Sequence, residues 1–285
     1  MLSAVLPLGL RILSNPAANM VQKLLSKRHS AILINLYSYL MLSLICIPSA
    51  TINNWTQYDL SYWGYAALAG ILCTLGSVCL IKALQIGEMS VLGPINSYKC
   101  IVGLVTGFLL LGEIPSIAGV LGVILIIAGS RYIFDTEPEG FTFNLLLRKD
   151  IILRFCALFF TGCEAAVLKK IILLSSVAES FMLWCFTGFI FSVILLLIFK
   201  IKFRLFSLKD FLYTGVIALC LGVMQYTTNI VFSKLNVGLS LALFQLSSIV
   251  AVFFGWKVFK EKHLLKKFIG TSIMIAGSCL ILLIK

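Results

Sequence analysis

The chain has 285 residues, 60% of them hydrophobic and only 12% charged, with a mean hydropathy of +1.06, whereas a soluble domain carries roughly 25% charged residues. That composition excludes an ordinary soluble enzyme and implies a membrane protein. The net charge of +12 is not gathered with interleaved aromatics on one polar face, so nucleic acid is excluded as a partner; most basic residues flank apolar runs, as topology signals do.

A helix needs about 20 mostly apolar residues to cross a ~30 Å hydrocarbon layer. Ten such spans are predicted, at residues 2–25, 31–50, 60–84, 89–111, 115–134, 150–173, 177–199, 211–233, 238–258 and 264–284. The runs are continuously apolar and do not alternate, which favours helices over a transmembrane barrel. The first, MLSAVLPLGLRILSNPAANM, carries Arg11 inside the apolar stretch, not before it, and so reads as a span and not as a cleaved leader. Asn15 and Asn19 share one face of it, and Pro16 is expected to bend it. The third span ends with Lys82, close enough to the edge to snorkel. The fourth, LGPINSYKCIVGLVTGFLLLGE, holds Pro94, then Asn96 three residues before Lys99, and closes on Glu113. Glycines in AGVLGVILIIAG (118–129) give the fifth a surface for close helix packing, or for a homodimer through the fifth and tenth spans. The sixth holds Glu164. In the eighth, Gln225 and Asn229 share a face beside Tyr226, and the ninth holds Gln245 and is followed by Glu261. The amides read either as cavity lining or as cross-helix glue. Nine cysteines fall almost wholly within spans with no CxxC and no Cys/His cluster, so neither a disulfide framework nor a metal is expected, and no cofactor.

An internal repeat organises these spans. LLGEIPSIAGVLGVILIIAGS (110–130) registers without gaps on VFKEKHLLKKFIGTSIMIAGS (258–278) at an offset of 148, aligning Glu113 with Glu261 and Gly122 with Gly270, and Gly107 falls on Gly255. The expected organisation is a first five-helix repeat at 1–134, a linker at 135–149 and a second five-helix repeat at 150–285. Five is odd, so the second half enters the membrane inverted. This all-α polytopic arrangement, ten transmembrane helices as two inverted repeats, is one that places a substrate near the midplane. At the offset Lys99 meets Ser247, so the lysine is not part of the shared scaffold.

The pattern ALQIGEMSVLGPINSYK…LLGEIPSIAGVLGVILIIAGS resembles the EamA-type repeat of the drug/metabolite transporter (DMT) superfamily. The resemblance covers nearly the whole chain and is strongest at 83–130; in the second half Ala242 replaces Pro94 and FKE replaces LGE. It implies transport, with spans 1–4 and 6–9 around a central cavity and spans 5 and 10 at the side, and both termini in the cytoplasm. The charges imply the opposite orientation: links after odd-numbered spans carry 17 Lys/Arg, counting Lys82 and Arg154, against 4 on the other side, which puts both termini outside.

An ionisable group at mid-bilayer costs about 2.5–3.5 kcal/mol and is by default functional. Arg11, Lys99 and Glu164 lie that deep. Together they sum to +1, which invites an anionic or zwitterionic solute, and Glu164 can take up a proton; alternatively Glu164 pairs with Lys99 or Arg11 and only joins the halves. The candidate substrate-binding or ion-coupling residues are Arg11, Asn15, Asn19, Asn96, Lys99, Glu164, Gln225, Asn229 and Gln245. The expected function is a secondary active transporter of a small polar metabolite, ion-gradient coupled, in the cytoplasmic membrane of a prokaryote. A flippase for a lipid or lipid-linked sugar is the alternative. An intramembrane enzyme fits poorly, since His29 and His263 lie in links and no HExxH, GxSxG or aspartate pair occurs in a span.

Overall fold

A computed structural model describes residues 2–102, 116–137, 142–235 and 237–283. Among these the chain is helical without strands: α1 Leu2–Ser26, α2 Ala31–Ala50, α3 Leu60–Ile86, α4 Met89–Leu92, α5 Ile117–Phe134, α6 Phe143–Leu146, α7 Lys149–Leu174, α8 Val177–Ile198, α9 Leu208–Lys234, α10 Val237–Phe244, α11 Ser247–Phe259 and α12 Leu264–Leu283. Five of the long helices start on a Ser or Asp from the preceding short link. Each side chain accepts a backbone N–H three residues on: Ser30 from Leu33 (3.3 Å), Asp59 from Tyr62 (3.0 Å), Ser116 from Gly119 (3.1 Å), Ser176 from Glu179 (3.1 Å) and Ser207 from Asp210 (3.2 Å). These caps satisfy amides that have no intrahelical partner.

Eight stretches among the described residues are long and apolar enough to cross a membrane, so ten uniform spans are only partly realised. α1 has the length, at 25 residues, but Arg11, Asn15, Asn19, Gln22 and Lys23 lower its apolarity. The expected fourth span is not one continuous helix. α4 stops at Leu92, Pro94–Ser97 form a 3-10 turn, and helix resumes at 98 and is described to 102. Gly107 and Glu113, with the rest of the LGE motif, lie outside the described residues. The ninth span is interrupted at the corresponding level, between Phe244 of α10 and Ser247 of α11. Hydropathy does not see these breaks because the residues on both sides remain apolar.

The packing is two-fold. α1 packs along α9, and their equivalents at the 148-residue offset, α7 and α3, pack along each other; α2 packs on its own equivalent α8, and α5 on α12. In the last pair an added Cβ at Gly122 would lie 2.6 Å from the Gly277 carbonyl oxygen and one at Gly129 2.6 Å from that of Gly270. The offset exchanges these two contacts, so the crossing is itself symmetric. The glycine faces of the fifth and tenth spans thus meet within one chain. A homodimer through these helices would have to use their outer sides, where Ile117, Leu121, Ile124, Leu265 and Phe268 are exposed.

Candidate functional site

The polar stripe of α1 (Arg11, Asn15, Asn19, Gln22) and a stripe of α7 (Arg154, Ala157, Thr161, Glu164, Leu168) recur at three- and four-residue spacing, so each lies on one helix face. Both faces line a central cavity of about 140 Å³, completed by Asn96 and Lys99 at the fourth-span break, Gln225 and Thr228 of α9, Cys73 and Ser77 of α3, Trp184 of α8 and Phe244 at the ninth-span break. Both repeats contribute to it.

Arg11 is 9% exposed and stacks its guanidinium 4.0 Å from the Phe244 ring centroid. Its Nε and Nη1 are buried without a hydrogen-bond partner. Glu164 accepts a hydrogen bond from Trp184 Nε1 at 3.1 Å. Among the described residues neither Arg11 nor Lys99 forms an ion pair with it, so the structural pairing weighed from sequence is not made. Lys99 nonetheless lies within electrostatic reach of Arg154, Arg11 and Glu164.

The breaks are held by side chains, as backbone exposed at membrane depth requires. At the first, Asn96 N–H turns back to the Gly93 carbonyl at 3.1 Å. The Leu92 carbonyl, left over, accepts Arg154 Nε at 2.7 Å. Arg154 Nη2 also donates to Asn96 Oδ1 at 3.0 Å, Asn96 Nδ2 to Gln245 Oε1 at 3.1 Å, and Gln245 Nε2 to the Leu241 carbonyl at 3.0 Å. One chain of hydrogen bonds therefore runs from α7 through the fourth-span break to the ninth.

Seven of the nine sequence candidates line the cavity: Arg11, Asn15, Asn19, Asn96, Lys99, Glu164 and Gln225. Asn229 does not. It accepts Gln225 Nε2 at 3.0 Å and donates to Ser180 Oγ at 3.1 Å, tying α9 to the start of α8. Gln245 is fully buried behind Asn96. Tyr226 is 41% exposed, edge-on to Phe181. Sequence reasoning missed Gln22, Trp184 and above all Arg154. Counted as a topology charge beside a link, Arg154 is instead a 7% exposed cavity residue. Its position ten residues before Glu164, nearly three helical turns, was the signal that would have found it. Lys82 is exposed, with Nζ 5.8 Å from the Phe199 ring, as a snorkelling residue would be.

On the Lys/Arg-rich side of the molecule an ionic layer joins α1, α4, α12 and the α11–α12 link. Glu261 accepts the Met89 and Ser90 N–H groups, both at 2.8 Å, thereby capping α4, and also accepts Lys23 Nζ at 3.0 Å and the Ser90 hydroxyl. Lys23 further donates to the Gly87 carbonyl at 2.7 Å, and Lys267, 2% exposed, binds Glu88 and, at 2.9 Å, Ser90 Oγ. Burial pushes the Glu261 carboxyl up, but Lys23 and the Ser90 bonds outweigh it and hold it below the ordinary glutamate value.

The model of the EamA-like transporter family matches residues 17–134 and again 148–283. No curated protein matches the chain. Among solved structures, one described as "Crystal structure of protein" superposes with a TM-score of 0.69 over 98% of this chain and 96% of that one at 13% identity, a likeness of fold alone. An integral multi-pass membrane protein with two successive matches that together span most of its length, the chain belongs to the EamA-like transporter family, within the drug/metabolite transporter superfamily.

Proposed function

We propose that the chain is a secondary active transporter that binds a small polar metabolite, anionic or zwitterionic, in the central cavity and carries it by alternating access. The observation that carries this reading is that four charged side chains, Arg11 and Lys99 from one half and Arg154 and Glu164 from the other, surround one cavity. Two discontinuous helices break at its wall, an arrangement that transporters use to hold solutes at the midplane. Glu164, bonded to a neutral indole N–H and not locked to a cation, is the candidate ion-coupling carboxylate. No GxxxxGK[ST] sequence is present, so the chain carries no recognisable nucleotide-driven motor. A gradient is then the driving force, with Glu164 placed to take up a proton.

The test is flux into proteoliposomes offered a labelled mixture of amino acids and small organic acids. Lys99→Ala and Glu164→Ala are each expected to abolish accumulation while keeping a monodisperse gel-filtration profile. Normal transport by both would sink the charged-cavity reading.

A further inference from the structure

The cavity's charge is unbalanced in one direction. The charged residues lining it are Arg11, Lys99, Arg154 and Glu164, which leaves two positive charges uncompensated even with Glu164 ionised. Arg154 spends hydrogen bonds on the Leu92 carbonyl and on Asn96, neutral acceptors that orient the guanidinium without cancelling its charge. Arg11 keeps two buried N–H groups with no acceptor at all, over the face of Phe244. A bound zwitterion would leave the excess untouched and a cation would enlarge it. A solute carrying two negative charges cancels it.

We infer that the cavity is built for a small organic dianion, a dicarboxylate or a phosphate monoester, with one anionic group taken by the Arg11 guanidinium and the remaining charge met by Lys99 and Arg154. Nε and Nη1 of Arg11 lie on different edges of the guanidinium and have no acceptor, so each can donate a charge-assisted hydrogen bond to an anionic oxygen, whereas Lys99 acts as a point charge. The inference rests on the reading of the cavity as the substrate site.

Binding to the purified full chain, followed by isothermal titration at pH 7.5 and fixed ionic strength, tests it with four probes: succinate, glycerol 3-phosphate, lactate and L-alanine. At least one of the first two is expected to bind tenfold or more tightly than lactate and alanine, and which of them does so separates the dicarboxylate from the phosphate source. Arg11→Gln and Lys99→Gln are each expected to weaken that binding at least tenfold, and Lys82→Gln, on the exposed outer surface, to leave it unchanged. If Arg11→Gln does not fold, Arg11→Lys keeps the charge without the guanidinium's several N–H donors and is expected to lose affinity for the dianion while still preferring it to alanine. Failure of both dianions to bind, alanine or lactate binding as tightly as they do, or wild-type binding by the folded Arg11 variants overturns the inference. A dianion that binds but is not carried into proteoliposomes refutes the transporter reading and leaves the inference standing; carriage of alanine with exclusion of both dianions does the reverse.

Discussion

Glu261 reaches out of its own link to accept N–H groups 172 and 171 residues away in sequence, at Met89 and Ser90. Its carboxylate is thus a cap for a helix in the other half of the chain, paired with Lys23 of a third element. Because its folded pKa lies below the ordinary value, the unfolded chain binds a proton there more readily than the folded one. The stability this group supplies is full above the unfolded glutamate value, about 4.3, and is lost as pH falls through the folded one. The thermal midpoint in detergent should therefore drop as pH is lowered from about 5 to 3, with a shallower fall in Glu261→Gln. Removing the carboxylate in Glu261→Ala leaves Lys23 buried without its counter-ion and two amides without their acceptor, and should cost roughly 3 kcal/mol, read from the same unfolding curves. A wild-type pH profile in Glu261→Gln would refute the assignment. Individual residues were legible where their type alone was unusual for the bilayer, as with Arg11, Lys99 and Glu164. Arg154 was not, because a cation one turn inside a helix looks the same whether it snorkels out or points in. Asn229 and Gln245 lie outside the cavity lining, and the sequence could not show this for a related reason: an amide that lines a cavity and one that ties helices together have the same spacing.

The helices themselves were readable from hydropathy, since all ten predicted starts fall within about three residues of a helix start. The interruptions of the fourth and ninth were not. Pro94 marks the first, but Ala242 stands at its equivalent, and the second break is secured instead by Gln245 bonding back to the Leu241 carbonyl. The fifth and tenth helices are the opposite case, where small residues announced close packing and the structure shows the partner. At Gly129 and Gly270 a side chain would meet backbone, 2.6 Å and 2.7 Å from the facing carbonyl oxygens, and backbone cannot swing aside as a flexible side chain can. Gly129→Leu or Gly270→Leu should cost at least the ~1–3 kcal/mol of ordinary overpacking and lower the thermal midpoint. Gly162, with open space around its Cβ position, should accept alanine without such a loss. Equal tolerance at these sites would mean that the two helices do not cross there.

At the level of the whole molecule, the ionic layer of Lys23, Glu88, Ser90, Glu261 and Lys267 joins the two halves on the side that bears most of the basic residues, and its closure of the cavity's mouth there is a prediction. A cysteine at position 19, in a background with the native cysteines replaced by serine, provides a sided probe of that closure. Membrane-impermeant alkylation of Asn19→Cys from the side of the α11–α12 link is expected to be slow. Combining it with Glu261→Ala and Lys267→Ala should accelerate the reaction several-fold from that side only. No acceleration would mean that the layer is a fixed brace. The two-fold frame was legible because its glycines and IAGS segments repeat, whereas the chemistry hung on it does not repeat and left no internal echo to read.

That mismatch has an energetic outcome. At the 148-residue offset Arg11 falls on Phe159, Lys99 on Ser247, Arg154 on Leu6 and Glu164 on Pro16. Under the alternating access proposed above, swapping the conformations of the two halves would turn an inward-facing molecule into an outward-facing one and carry every charge into a different neighbourhood. Two chemically identical halves would leave an empty carrier divided evenly between the two sides. On that reading the two orientations differ in free energy, and the empty carrier is expected to have a preferred side on which it waits. Such a preference cannot drive net movement, but it sets on which face of the membrane the cargo first finds an open door.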